Sequence, residues 1–87
     1  MNPTIAIRLT AHATQMMRRR NLALEWIEDT LRDPAIVKVD ERDPTLRLAF
    51  RKIDHVGEKW LRVVYRMDRH THVIVTAFFD RGMEKKK

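Results

Sequence analysis

The stretch Trp60 to Phe79, WLRVVYRMDRHTHVIVTAFF, decides the fold. In its first part Leu61, Val63, Tyr65 and Met67 alternate with Trp60, Arg62, Val64 and Arg66, the period-two pattern of a strand with one face on a core. Asp68 to His70 reads as a turn. In the second part Val73, Val75, Ala77 and Phe79 fall on one side and His72, Ile74, Thr76 and Phe78 on the other. Two such strands joined by a short turn form an antiparallel hairpin.

Upstream, TLRLAFRKI (45–53) gives a third strand, with Leu46, Leu48 and Phe50 opposed to Arg47, Ala49 and Arg51. A loop at Asp54-His55-Val56-Gly57 leads from it to the hairpin. AIVKV (35–39) supplies another strand, and Asp43-Pro44 marks the turn after it. Before residue 35 the period lengthens to that of a helix. Leu24, Ile27 and Leu31 share one side of a helix that ends at Arg32-Asp33-Pro34, because the residue before proline avoids the helical region. An earlier helix, Ala11 to Arg19, is capped by Thr10, and its apolar side carries Ala13, Met16 and Met17. TIAIRL (4–9) alternates again, as a short edge strand. The expected fold is α+β: two N-terminal helices on one face of an antiparallel sheet of about four strands, with a short N-terminal edge strand. Residues 1–80 form a single globular domain, and 81–87, RGMEKKK, a basic C-terminal tail.

Composition agrees with one small core. The 87 residues are 44% hydrophobic with two glycines and three prolines, outside the range of disordered or collagen-like chains. Cysteine is absent, which excludes disulfides and thiolate metal sites. No apolar run approaches the roughly 18 residues of a membrane span, and MNPTIAIRLT lacks the layout of a signal peptide, so a cytoplasmic location with no membrane partner is expected.

A net charge of +6 favours acidic partners, nucleic acid first among them. Residues 1–20 carry +4, residues 21–34 carry −3, residues 46–67 carry +4 and the tail +3. If the all-apolar strand sets pack beneath the helices, Arg47, Arg51, Arg62 and Arg66 emerge together on the opposite face, joined by His72 and Thr76. Like charges across neighbouring strands repel, so a basic face dotted with Trp60 and Phe78 suits single-stranded or looped RNA. The plain alternative is a solvated or partner-covered sheet.

Candidates for chemistry are few. His70 and His72 lack further ligands at metal spacing, and no metal or cofactor is expected. His12 lies in the first helical turn, where an imidazole tends to be neutral and can act as a base. Tyr65 alternates with apolar residues, so its hydroxyl needs a partner, for which His12 is a candidate. The chain has no Walker loop, HExxH pattern or serine triad arrangement. Metal-free chemistry on RNA remains open, because the substrate brings its own 2′-hydroxyl nucleophile.

Thr10-Ala11-His12-Ala13, Met16-Met17, Arg20 and Leu22, followed by Thr30-Leu31-Arg32-Asp33-Pro34, Leu61 to Tyr65 and Val73 to Asp80, resemble a small uncharacterised bacterial domain family. Its opening pattern is T-x-H-A-x-x-R-M-x-x-R-x-[IL], and this chain departs from it at Met16, where the pattern has arginine. That family distantly resembles RelE/ParE and BrnT-type toxins. The resemblance implies a toxin-like, metal-independent ribonuclease of a toxin–antitoxin system, with His12, Tyr65 and Arg20 as catalytic residues. The alternative is a non-catalytic module binding nucleic acid or an acidic antitoxin; a gyrase-directed role is a third. Expected partners are RNA, an acidic antitoxin and a second copy of the chain. Because Tyr65 and His12 belong to the helix side while Arg62 and Arg66 point away, a joint site has to lie at an edge where both faces meet.

Overall fold

In the computed structural model, which describes residues 5–53 and 57–84, the chain runs through β1 (Ala6–Leu9), α1 (Ala11–Arg20), α2 (Leu24–Arg32), β2 (Ile36–Val39), β3 (Arg47–Ile53), β4 (Lys59–Asp68), β5 (Thr71–Phe79) and α3 (Arg81–Glu84). Thr4, the Asp54-His55-Val56 part of the expected loop and residues 85–87 of the tail lie outside the described residues. The fold is α+β, with two N-terminal helices and one five-stranded sheet in the order β1-β5-β4-β3-β2. The sheet is larger than the four antiparallel strands expected, and it is mixed. β1 runs parallel to β5, from Ala6 opposite Thr71 to Leu9 opposite Ile74, while the other three pairings are antiparallel. Parallel neighbours need a long crossover, and residues 10–70 supply it. Among the described residues no helix is long and apolar enough to cross a membrane.

Thr10 joins the first helix to the sheet. Its Oγ1 accepts the Ala13 N–H at 3.0 Å, capping α1, and donates to the Ile74 carbonyl at 2.9 Å. At the other end Asn21 takes the left-handed conformation (φ 53°), which brings the Leu22 N–H to the Met17 carbonyl at 3.0 Å. Arg18, Arg19 and Arg20 fill this last turn, where cations complement the helix dipole. In α2 the buried Thr30 hydroxyl bonds back to the Trp26 carbonyl at 2.7 Å, and the helix stops at Arg32, with Asp33 before Pro34 already non-helical.

Two cores flank the sheet. Ala13, Leu22 and Ile27 pack with Ala49, Ile53, Leu61, Val63, Tyr65, Ile74 and Ala77 on the helix side. Leu48, Phe50 and Val64 form a second core on the opposite face, closed by Ile36, Trp60, Val75, Phe78 and Met83. The sheet is therefore buried on both faces at its centre, where Val63 and Val64 are both buried.

This corrects the expected faces. Residues directly opposite in a ladder share a face, and Ala49 stands opposite Val63, Arg51 opposite Leu61 and Arg47 opposite Tyr65. Arg47 and Arg51 thus lie on the helix side, whereas Arg62 and Arg66 lie on the other. The physical reason is volume: small Ala49 fits beneath the helices, while Phe50 needs the second core. Alternation within β3 is satisfied by either setting, and only its register with β4 chooses between them.

The expected faces of β5 change for a different reason. Val64 stands opposite Thr76 but Tyr65 opposite Ile74, so Val75 is an extra residue, a β-bulge. One inserted residue inverts the alternation. His72 and Ile74 therefore share the helix side with Ala77 and Phe79, and Val73 crosses to the far side, so His72 does not join Arg62 and Arg66. The stretch read as a basic tail begins with the single turn of α3, whose Met83 packs on the second core.

Replacing Thr10 by alanine removes a helix cap and a tie to β5 together. The expected loss is about 1–2 kcal/mol, seen as a lower urea midpoint at unchanged m-value. Thr10→Ser keeps both hydrogen bonds and is expected to lose less than half as much.

Candidate functional site

Arg62 is the organising cation of the second core. Its cross-strand neighbours are Phe50 on β3 and Phe78 on β5. The guanidinium carbon lies 5.1 Å from the Phe50 ring centre and 5.4 Å from that of Phe78, so ring quadrupoles face a half-buried positive charge. Its Nε is 3.4 Å from Asp80 Oδ2. This contact is an ion pair without hydrogen-bond geometry, because the buried Nε–H has no hydrogen-bond partner among the described residues. Asp80 Oδ1 accepts the Gly82 N–H at 2.8 Å, which fixes the carboxylate.

More cations collect at this end of the sheet. Arg20, in the last turn of α1, donates from Nη1 to the Ala77 carbonyl at 3.1 Å, and its guanidinium carbon lies 5.7 Å from the Phe78 ring centre. Lys59 Nζ is 5.8 Å from the centre of Phe79, and Lys52 Nζ 6.0 Å from that of Trp60. β1 pairs only with Thr71 to Ile74, so β5 runs from Val75 to Phe79 as a sheet edge that Arg20 reaches from the helix side. There, Arg20, Lys59, Phe78, Phe79, Asp80 and Arg81 line a cleft of about 310 Å³.

Tyr65, His72 and Arg47 form a second grouping, on the helix side. The Tyr65 and His72 rings are 5.3 Å apart, and His72 Nδ1 faces the Ala6 carbonyl at 3.2 Å. Burial pushes the Tyr65 phenol above its ordinary pKa of 10.0, an effect the charge of Arg47 partly offsets. The hydroxyl is accordingly a proton holder at neutral pH.

The three expected catalytic residues do not form one site. Tyr65 is buried and meets the ring of His72 instead of His12. His12 is exposed in the first turn of α1, and Arg20 stands eight residues further on, about 12 Å along the helix. Of the expected basic face, Arg51 is tied to the end of α2, donating to the Asp33 carboxylate at 3.0 Å and its carbonyl at 2.8 Å. Arg66 is exposed opposite Val73, two positions beyond Val64 on the same face as Arg62. Lys52, Lys59, Asp80 and Arg81 were not anticipated. Cross-strand register carries the signal for Lys52, which stands opposite Trp60. Among the described residues no three His, Asp or Glu side chains come together as a metal-binding group.

A family model described as a domain of unknown function, DUF4258, matches residues 9–79. No curated protein and no solved structure matches the chain.

Two measurements test this arrangement. Arg62→Lys keeps the charge but loses the planar group that lies against Phe50 and Phe78; a loss of about 1 kcal/mol in urea unfolding is expected, and an unchanged midpoint would show the ring contacts to be inert. Tyr65 is expected to ionise above pH 10.0 in a spectroscopic titration. Because its folded-state pKa is raised, its stabilising contribution is complete below the unfolded value and is lost as pH rises through the folded one, a loss absent from Tyr65→Phe.

Proposed function

The chain belongs to the DUF4258 family, and we propose that it is a module that binds single-stranded RNA by its phosphates. The observation that carries this reading is the gathering of five cation–aromatic contacts at one end of the sheet. Among the described residues only Asp80 offsets these charges by an ion pair, with Arg62. Rings that hold their own cations leave little surface for bases, so the contacts favour phosphate binding, with bases able to stack on guanidinium planes. A guanidinium already ordered by a ring loses less side-chain freedom when a phosphate arrives. On the same face of β4, beyond the buried Val64, Arg66 adds a further exposed cation. An acidic antitoxin, the partner implied by the toxin resemblance, would compete for the same cations.

A second reading, metal-independent RNA cleavage by a toxin-like enzyme, draws its support from the other grouping. There a phenol that keeps its proton, an imidazole and a guanidinium stand together as Tyr65, His72 and Arg47. These are the side-chain types needed to move protons and neutralise a phosphate during attack by a 2′-hydroxyl.

Fluorescence anisotropy with a 5′-hydroxyl RNA carrying a 3′ dye, in EDTA, separates the readings. The logarithm of the affinity is expected to fall linearly with log salt, and Lys52→Ala and Arg66→Ala are each expected to reduce the slope by about 0.7, one phosphate contact. The RNA is expected to stay full length. No binding at low salt would remove the binding module, whereas cleavage abolished by His72→Ala or Tyr65→Phe would transfer the function to the second reading.

A further inference from the structure

Resting on the RNA-binding reading, we infer that the cleft at the free edge of β5 is the seat of a terminal phosphate, the phosphomonoester end of a nucleic-acid strand. Among the described residues three cations, Arg20, Lys59 and Arg81, line it together with one acid, Asp80. That acid is already committed: one carboxylate oxygen faces Arg62 at 3.4 Å and the other holds the Gly82 N–H at 2.8 Å. The cleft therefore has cationic excess for more than one negative charge. An internal phosphodiester carries one charge, whereas a phosphomonoester approaches two at neutral pH.

Geometry favours the same ligand. Arg20 is held on one side by the Ala77 carbonyl and the Phe78 ring, so its remaining N–H groups are positioned before any ligand arrives. Lys59 is placed by Phe79. The two phenylalanines give the cleft an apolar wall, and Asp80 and Arg81, where the chain turns into α3, line it beside them.

The test compares RNAs of one sequence ending in 5′-phosphate or 5′-hydroxyl, and a second pair ending in 3′-phosphate or 3′-hydroxyl, by anisotropy with the dye on the opposite end. One phosphorylated end is expected to bind about tenfold tighter than its hydroxyl counterpart, the effect of nearly two added charges among three cations. Arg81→Gln, whose folding is checked by its urea midpoint, is expected to shrink that advantage below about threefold. Equal affinity for phosphate and hydroxyl ends, with both bound, overturns the inference and leaves the RNA reading standing. If neither RNA binds, the RNA reading fails, and titration with a nucleoside monophosphate and with inorganic phosphate decides the cleft. Binding that Arg81→Gln weakens supports a phosphomonoester seat, and no binding overturns it.

Discussion

One extra residue in β5 lets a single strand serve two cores. Were Val75 held in a regular ladder, the alternation of the strand would run unbroken and Ile74, three residues before Ala77, would fall on the opposite face from it. The bulge also accounts for the free edge. β1 pairs with β5 up to Ile74 and stops where the bulge disturbs the ladder, so the chain leaves the sheet at Thr10 and enters α1. The C-terminal turn of that helix then lies beside the half of β5 that β1 leaves unpaired, within reach of the Ala77 carbonyl. The cleft, the Tyr65–His72 ring contact and the docking of α1 thus trace to the same local irregularity.

A guanidinium on a sheet face that also carries a hydrophobic core is costly to desolvate unless matched. At Arg62 the match is made by two ring faces and one carboxylate, and α3 helps, because the turn that places Met83 on the core also fixes Asp80 through the Gly82 N–H. The aromatic residues of this face consequently act as scaffolding for charge. That differs from a surface of open rings, and it is the reason the proposed RNA binding rests on phosphates more than on stacking.

The elements themselves were legible because each is periodic. Leu24, Ile27 and Leu31 mark a helix, Leu61, Val63 and Tyr65 a strand, and Thr10 a cap. The assignment of faces was not legible. The alternation of β3 fits either orientation, and nothing in THVIVTAFF, which has neither glycine nor proline, announces a bulge at Val75. The consequence reached the site: four arginines expected together divide into two pairs, and His72 moves to Tyr65. Arg20 was drawn from the motif, yet its meeting with Phe78 depends on a helix docking far along the chain, which local pattern does not encode. The parallel placement of β1 was hidden for the same reason.

That parallel placement imposes an order of events on folding. Ala6 finds its partner in Thr71, the first residue of the last strand, so β1 is made first and is paired last. Non-local pairings of this kind slow folding, since the intervening chain must be organised before its ends can meet. During synthesis, the N-terminal strand and the cap at Thr10 wait with open hydrogen-bonding groups until the β4–β5 hairpin has emerged. The interval is several seconds at ordinary rates of translation. A nascent chain stalled before Ile74 would hold a helix start without its anchor in the sheet.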